Sequence, residues 1–441
     1  MYLERHLDAI QIPANLRIND QIRAYRQRCR AMGCHRPYHH FAFGQSPFSP
    51  PPPVVEALIA NADKHDYLPT AGLPELREVI AHYYREVFGI TCGAEKVVVS
   101  PGSKEMISMI LAVVQGSLII PTPSWVSYLP QANILKKEVI SLRLQAKDQY
   151  KLTPDALLRG IGQAKEKQRI LILNHPNNPT GAVYSREELE AVADVCRRNK
   201  VVVISDEIYA RTSFDADAFV STMQVYPEGT IVTGGMSKDR SSGGYRFGVG
   251  IFPQEPTELV RNILKIAGST YSCVAEPIQY AALSAYSLDA DVETYIRDCT
   301  ALNAFVGRKT AALFNDLPGV HATTPGGAFY LFVDFNSYRE GFADAGIASS
   351  TEFCEDLIKV EHVAMLPGDS LLLRDDDFAV RASFVDYDGD AVLDAWHDDP
   401  PTSPQEEASF FSKHCGLIIE GVSNLGRYLD QIREGKHPVH A

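Results

Sequence analysis

With 441 residues, the chain is long enough for two or three domains or one large α/β unit, and its formal net charge of −13 argues against nucleic acids and anionic membranes as partners. Its eight cysteines include no CxxC pair and are too sparse for a disulfide framework, which indicates a reducing compartment. No apolar run approaches the roughly 18 residues of a membrane span, and the N-terminal stretch MYLERHLDAIQIP lacks the apolar core of a signal peptide, so we expect a cytoplasmic protein.

The first predicted elements form an N-terminal arm, residues 1–53. Its first 45 residues are polar and locally basic, which predicts a helix followed by an extended segment. The proline-rich stretch PFSPPPP (47–53) then interrupts the chain, because proline fixes φ and cannot join a central strand. Helical periodicity follows in residues 54–62 and 73–89.

Strands and helices then alternate, which predicts a large three-layer α/β/α domain over residues 54–290. The strands are continuous apolar runs, as expected for strands buried on both faces of a mainly parallel sheet. They are KVVVS (96–100), SLIIP (117–121), EVISLRL (138–144), RILIL (169–173), VVVIS (201–205) and TIVTGG (230–235). One intervening helix opens with a Ser-x-x-Glu capping box, Ser185 to Glu188.

The pattern changes after Pro253, where longer helices and fewer strands predict a smaller α+β domain. We assign residues 291–441 to this domain, together with the N-terminal arm. The segment DDPPTSPQEE (398–407) has the composition of a polar linker. Apolar residues from Phe411 to Ile432 then follow the spacing of one face of a single terminal helix.

The residues that most clearly indicate a reactive site lie in SKDRSSGGYRFG (237–248), just after the apolar run TIVTGG (230–235). An amine such as that of Lys238 becomes a Schiff-base nucleophile when a carbonyl cofactor is held beside it, and it can also move a proton at a substrate α-carbon. Arg246 offers a planar charged fork that suits a phosphate, and the glycines of this loop allow close approach of the backbone. Taken singly, a solvated lysine and a surface ion pair are the alternatives.

Polar residues stand directly after two of the predicted strands, where ligands of open α/β sheets gather. Asp206 follows VVVIS, and a carboxylate there can hold a pyridine nitrogen protonated. Tyr209 and Asn178, the latter in NHPNNPTG (174–181), can hydrogen-bond a ring oxygen. A structural cap, a packed tyrosine and an ordinary Asn-Pro turn are the alternatives.

Two further segments follow strands in the same way. SPGSKE (100–105) places Gly102, Ser103 and Lys104 at the start of a helix, where exposed N–H groups bind phosphate. Lys104 is a rival Schiff-base lysine, although the first turn of a helix suits a phosphate better than an aldehyde. Trp125 can stack on an aromatic ring, with a core role as the alternative. The whole set indicates pyridoxal phosphate as the cofactor, and no metal site is expected.

These segments, in this order, resemble the aspartate aminotransferase superfamily, the fold-type I pyridoxal-phosphate enzymes, and most closely the class I/II aminotransferases. The resemblance rests on NHPNNPTG, SDEIY, MSKDRSSGGYRFG, GGAFYLFVDF and VRASF, and on the eight-residue spacing from lysine to arginine. It runs from about residue 43 to residue 384. One position departs from the pattern, because many relatives have Ser or Thr where this chain has Gly235.

The resemblance implies a role for each cofactor-binding residue. Lys238 would carry the Schiff base and move the proton, and Asp206 would pair with the pyridine nitrogen. Tyr209 and Asn178 would bond the phenolic oxygen of the ring, and Trp125 would stack on its face. The phosphate would be held by residues of two loops: Gly102, Ser103, the backbone N–H of Lys104, Ser237 and Arg246.

The resemblance also implies how substrate and subunits are arranged. Arg381, in VRASF, would grip the substrate α-carboxylate, with Asn178 and Gly44 nearby. Tyr67 would reach the phosphate of a neighbouring subunit, which implies a homodimer. The substrates would be an amino acid and a 2-keto acid.

We therefore predict a pyridoxal-phosphate-dependent aminotransferase. Two alternatives stay open at this point. One is elimination, cyclisation or oxidation of an amino acid on the same scaffold, since a fold does not determine a reaction. The other is a non-catalytic regulator with this fold, although the first 45 residues are too short for a winged-helix module.

Overall fold

The computed structural model of the protein describes residues 5–10, 14–31, 33 and 36–436. Residues 1–4, 11–13, 32, 34 and 35 of the predicted N-terminal arm lie outside the described residues, as do residues 437–441. Among the described residues, each helix is too short or too polar to cross a lipid bilayer.

Sixteen α-helices occur in the described part of the chain. Five of them have proline in the first turn, where its missing N–H is not needed. The capping box predicted at Ser185 and Glu188 is confirmed. In chain order the helices are α1 Ala14–Ala31, α2 Pro52–Ala60, α3 Pro74–Phe88, α4 Ser103–Val113, α5 Tyr128–Ile134, α6 Pro154–Gln163, α7 Arg186–Asn199, α8 Thr222–Val225, α9 Glu258–Thr270, α10 Glu276–Tyr286, α11 Ala290–Asn315, α12 Arg339–Asp344, α13 Ser350–Glu361, α14 Gly389–Asp398, α15 Pro404–His414 and α16 Gly416–Arg433.

The strands of the described residues form three sheets. In chain order they are β1 His39–His40, β2 Val97–Ser100, β3 Ser117–Thr122, β4 Val139–Arg143, β5 Arg169–Asn174, β6 Val202–Asp206, β7 Thr230–Gly235, β8 Gly248–Ile251, β9 His321–Ala322, β10 Tyr330–Asp334, β11 Val363–Ala364, β12 Leu366–Pro367 and β13 Ala379–Ser383. The central sheet has seven strands in the order β2-β8-β7-β6-β5-β3-β4. Neighbouring strands from β7 to β4 are parallel, and β8 is antiparallel to both of its neighbours.

Helices cover both faces of the central sheet. Leu171 and Val203 point to one face and pack with residues of α6 and α7. Ile172 and Ile204 point to the other face and pack with residues of α4 and α9. The alternation follows from the two-residue period of a strand, and burial on both faces explains why the strands are apolar throughout. The predicted α/β fold class is confirmed.

The N-terminal and C-terminal segments pack together beside the central sheet. The antiparallel sheet β12-β13-β10-β9 shares one apolar core with α11, α13 and α16. The short strand β1 pairs in parallel with β11, so residues just before position 41 are tied to the C-terminal part of the chain. The chain leaves β1 towards the carboxyl ends of the central strands.

The predicted linker and single terminal helix were wrong. The helix α15 begins inside the expected linker, because the Ser403 side chain accepts from Glu406 N–H and the Glu406 carboxylate accepts from Ser403 N–H. Such a capping box satisfies the free N–H groups at a helix start. The terminal apolar pattern is split at Cys415 into α15 and α16.

Candidate active site

A cavity of about 540 Å³ lies at the carboxyl ends of the central strands. Parallel pairing places Asn174 beside Asp206, and Asp206 beside Thr233, at one edge of the sheet. The segment after β1 and the start of β10 close the other side. The cavity brings together most of the predicted site residues: Gly44, Ser103, Lys104, Trp125, Asn178, Asp206, Tyr209, Ser237, Lys238, Arg246 and Arg381.

Asp206 is the buried acid of the cavity, with 3% of its surface exposed. It accepts hydrogen bonds from the Tyr128 hydroxyl at 2.5 Å, from the Thr233 hydroxyl at 3.3 Å and from the backbone N–H of Ile208. Burial raises the pKa of Asp206 to about 6, although these donors and nearby Lys238 oppose the rise. The carboxyl group is therefore costly to ionise until a cation reaches it.

Lys238 lies on the loop that follows β7. Its ammonium donates a 2.6 Å hydrogen bond to the carbonyl oxygen of Gly44, and lies 5.6 Å from the centre of the Tyr209 ring. This acceptor is an uncharged carbonyl oxygen, so the contact is weaker than an ion pair with a carboxylate would be.

The two residues that follow Lys238, Asp239 and Arg240, anchor its loop in the protein interior. Arg240 is buried between the rings of Tyr83 and Tyr286, pairs with Asp239 at 2.8 Å and donates to the carbonyl of Ala285. A buried guanidinium needs such partners, and together they hold the loop against α3 and α10.

Positive charge and helix N–H groups meet at one end of the cavity. Ser103 begins α4, and the Arg246 guanidinium donates to the carbonyls of Gly243 and Pro101, next to that helix start. The ammonium of Lys104 lies 5.1 Å from the centre of the Trp125 indole. Burial, followed by the charges of Arg246 and Lys238, lowers the pKa of Lys104. An anion placed here would relieve this repulsion.

Glycines form a tight backbone cradle at the same end. A Cβ on Gly248 would lie 2.3 Å from the carbonyl carbon of Gly102, and Gly102 itself has φ of +95°. A Cβ on Gly235 would lie 2.6 Å from the carbonyl oxygen of Phe247. Position 235 therefore has no room for the side chain of Ser or Thr.

Arg381 is the other buried cation of the cavity. Its guanidinium donates to the Asn178 amide oxygen at 3.2 Å and to the Ala42 carbonyl at 2.7 Å, and lies 4.4 Å from the centre of the Tyr330 ring. Its Nε is buried without a hydrogen-bond partner among the described residues. A planar fork with unused donors suits a carboxylate.

Two predicted site residues lie elsewhere. Gly102 does not line the cavity but contacts Arg246, because a Cβ at Gly102 would lie 2.3 Å from the guanidinium. Tyr67 is 91% exposed and lies outside the cavity of its own chain. Among the described residues, no group of three His, Cys, Asp or Glu side chains could hold a metal ion.

The sequence did not predict several residues of the cavity. Tyr128 and Asn174 hold Asp206 and its strand end, while Phe43, Gln45 and Tyr330 form the opposite wall. Asn174 could have been found, because it ends an apolar strand as Asp206 does. The tyrosines carried no such signal, since a tyrosine beside an apolar run most often packs in a core.

Comparison with known proteins identifies the family. The profile of the family "Aminotransferase class I and II" matches residues 37–386. The chain belongs to this family. A bifunctional aspartate aminotransferase and glutamate/aspartate-prephenate aminotransferase of Petunia hybrida is 32% identical over 79% of this chain and 73% of its own length. An asparagine–oxo-acid transaminase of Streptococcus mutans is 31% identical, over 74% of this chain and 82% of its own.

Solved structures agree with this assignment. An aromatic aminotransferase from Pyrococcus horikoshii has a TM-score of 0.74 and 26% identity, over 89% of this chain and 96% of its own. The fold is also that of an aspartate aminotransferase from Thermus thermophilus with maleate, with a TM-score of 0.77 and 23% identity over 97% of this chain and 99% of its own. The protein is a pyridoxal-phosphate-dependent aminotransferase, which moves an amino group between an amino acid and a 2-keto acid. The predicted family, enzyme class and cofactor are confirmed.

The groups that line the cavity fit pyridoxal phosphate. The buried carboxyl group of Asp206 matches a protonated ring nitrogen, and the amine of Lys238, once it has lost its proton, matches an aldehyde. The start of α4, with Arg246 and the glycine cradle, matches a phosphate. Each part of the cofactor therefore has a chemically suitable partner.

The glycine cradle makes a prediction about phosphate binding. Gly248→Ala should lower the affinity for pyridoxal phosphate at least tenfold, because the new methyl group displaces the backbone of Gly102 and Ser103. Gly244→Ala is the matched control, since a Cβ there meets nothing within 4 Å. Absorbance titration of the unloaded protein measures both affinities. Equal affinities in the two variants would contradict the cradle.

The raised pKa of Asp206 makes a prediction about stability. The folded protein binds this proton more tightly than the unfolded chain, so the free energy of unfolding falls as the pH rises from about 4 to about 6. The full cost of about 3 kcal/mol applies above that range. Unloaded Asp206→Asn should therefore melt a few degrees above the unloaded wild type near pH 8, and the gain should shrink near pH 5. Thermal unfolding at both pH values measures it, and a gain independent of pH would refute the assignment.

Proposed function

We propose that Lys238 is the lysine that joins the cofactor as a Schiff base and that it moves the proton of the substrate α-carbon. The observation that carries this proposal is the meeting of Lys238, Asp206 and Arg381 in one cavity. Lys238 faces the aromatic ring of Tyr209 and is held by a single carbonyl oxygen, so it can leave that oxygen and return. An amine that swings in this way can take a proton from one carbon atom and deliver it to another.

The ring of the cofactor would be held by four residues. When bound, pyridoxal phosphate supplies an electron-withdrawing ring that takes up the electron pair of the substrate Cα–H bond. Asp206, once ionised, would keep a positive charge on the ring nitrogen, and Tyr128 and Thr233 would orient its oxygens. Tyr209 and Asn178 would donate to the ring oxygen, and Trp125 would cover the ring face.

The phosphate would lie in the cradle at the start of α4. The backbone N–H groups near Gly102 and of Ser103 and Lys104 are directed outward at the helix start, where the helix dipole favours an anion. The hydroxyls of Ser103 and Ser237 and the guanidinium of Arg246 would complete the set. This arrangement anchors the cofactor while Lys238 is exchanged for substrate.

The substrate would be oriented by its α-carboxylate. Arg381 would bind this group with Nε and one terminal nitrogen, while Asn178 keeps the guanidinium in place. The backbone of Gly44 would lie against the substrate, since this glycine already contacts Lys238. Aspartate is the first amino donor to test, because several relatives are named for it. Among the described residues, the arginines that line the cavity are Arg246 and Arg381, and both already have a proposed role.

We also propose a homodimer in the cytoplasm, with residues 54–290 as the cofactor domain and 1–53 with 291–441 as the smaller domain. The exposed side chain of Tyr67 supports the dimer, because a phenol that projects into solvent can reach a neighbouring subunit. The separate apolar cores on either side of the cavity support the division into domains.

The assignment of Lys238 predicts the outcome of its removal. Lys238→Ala should lose the visible absorption band of the bound cofactor and reduce turnover by several orders of magnitude, while the circular dichroism spectrum is retained. Borohydride reduction of the loaded wild type, followed by peptide mapping, should place the cofactor on Lys238. A reduced adduct on Lys104, or trapping in the Lys238→Ala variant, would refute the assignment.

The assignment of Tyr67 predicts complementation between subunits. Lys238→Ala and Tyr67→Ala subunits should each be impaired alone. If Tyr67 serves the site of its partner, a mixed dimer contains one intact site, and mixing the two variants should restore activity to roughly a quarter of the wild-type level. Steady-state rates after refolding the mixture measure this. No recovery, with dimers present in sedimentation, would show that Tyr67 does not act across the interface.

A further inference from the structure

Tyr330 contacts three of the proposed site residues, two through its hydroxyl group and one through its ring. It is 2.8 Å from the Tyr209 hydroxyl and 3.4 Å from the carbonyl oxygen of Gly44. A Cβ on Gly44 would lie only 2.2 Å from this hydroxyl, so the two residues are in direct contact. The guanidinium of Arg381 lies over the Tyr330 ring. Tyr330 is 1% exposed and forms part of the cavity wall, and its hydroxyl bonds these neighbours.

The two phenols can share only one hydrogen bond, and its direction matters. Burial, and then the nearness of Tyr330, raises the pKa of Tyr209 well above its ordinary value, so Tyr209 keeps its single proton. If Tyr209 donates that proton to Tyr330, it has none to offer to the cavity. If Tyr330 is the donor, the proton of Tyr209 is free to point at a ligand.

The distances favour Tyr330 as the donor. The alternative acceptor for its proton is the carbonyl of Gly44, which lies at the outer limit of a hydrogen bond and already accepts a 2.6 Å bond from Lys238. The Tyr209 oxygen lies 2.8 Å from the Tyr330 hydroxyl, whereas the Gly44 carbonyl oxygen lies 3.4 Å from it. The nearly perpendicular rings of the two tyrosines hold their hydroxyls in this contact.

We infer that Tyr330 is a positioning residue that donates its proton to Tyr209 and thereby directs the Tyr209 proton into the cavity, towards the ring oxygen of the cofactor. This inference rests on the proposed function, in which Tyr209 contacts that oxygen. A donated bond also strengthens the next bond in a chain of hydroxyls. Tyr330 thus adjusts how firmly Tyr209 holds the ring oxygen, without touching that oxygen itself.

The consequence is measurable in the loaded protein. With the cofactor bound through Lys238, a proton donated by Tyr209 would draw electron density from the ring oxygen and so lower the basicity of the Lys238 nitrogen, which would be conjugated with the ring. Weaker donation makes that nitrogen hold its proton to a higher pH. The absorbance of the bound cofactor follows this proton, so its pH midpoint reports the strength of the Tyr209 bond.

A double-mutant cycle tests the inference. We expect Tyr330→Phe to move the midpoint upward by about half a pH unit, the size of a fraction of one hydrogen bond. Tyr209→Phe should move it further, and the double variant should match Tyr209→Phe alone, because Tyr330 acts only through Tyr209. Tyr226→Phe is the matched control: it also removes a buried hydroxyl with one partner, the Val201 carbonyl, and should leave the midpoint unchanged.

The ring of Tyr330 is tested separately from its hydroxyl. Tyr330→Phe keeps an aromatic ring beneath Arg381, so KM should change less than twofold while the midpoint moves. Tyr330→Leu removes the ring as well and should raise KM several-fold. This contrast distinguishes a positioned proton from a general loss of packing.

Each outcome is decisive. Equal midpoints in Tyr330→Phe and the wild type, with a shift in Tyr209→Phe, would overturn the inference and leave the proposed function intact. Additive shifts in the double variant would also overturn it, because Tyr330 would then act by another route. An unchanged midpoint in Tyr209→Phe would remove both the inference and the proposed contact of Tyr209 with the cofactor.

Discussion

A carboxyl group buried at the end of a strand needs hydrogen-bond donors or a counter-charge, and Asp206 illustrates how a site grows from that need. Burial opposes its ionisation, while Tyr128, Thr233 and the Ile208 N–H favour it. The balance leaves the pKa of Asp206 at about 6, which is suited to a cationic partner supplied by the cofactor. The protein thus carries an acid that is costly to ionise, and in the proposed function the ring nitrogen of the cofactor would supply the missing positive charge. Such a conflict between stability and function is usual at active sites.

The segment after β1 completes the cavity through its backbone. Three carbonyl groups of this segment accept hydrogen bonds from the residues around the cavity. The carbonyl of Phe41 accepts from Ser383 N–H, that of Ala42 from the Arg381 guanidinium and that of Gly44 from the Lys238 side chain. In the proposed function, substrate binding at Arg381 and covalent chemistry at Lys238 would therefore both act on this short segment. The pairing of β1 with β11 ties the start of this segment to the C-terminal part of the chain.

Local features of the sequence predicted much of the fold. The apolar runs at residues 169–173 and 201–205 became β5 and β6, because burial on both faces requires an unbroken apolar run. The antiparallel strand β8 was not predicted, since two of its four residues are glycines, which are poor strand formers. Gly248 is needed there for contact with Gly102, and that contact joins segments far apart in the chain. The helix α15 was missed because its capping box lies in a stretch whose composition suggested a linker.

The sequence by itself determined the chemical groups and their place at the strand ends, and so the family and cofactor. Asp206 ends β6 while Lys238 and Arg246 lie on the loop after β7, so the parallel pairing of these two strands places all three at one edge of the sheet. Only the tertiary structure decided the partners of these groups. Tyr128 meets Asp206 across 78 residues, Tyr330 meets Tyr209 across 121, and Gly44 meets Lys238 across 194. Hydrogen bonds over such separations form only when distant parts of the chain pack around the same cavity. Neither the periodicity of apolar residues nor the spacing of motifs along the chain encodes that packing.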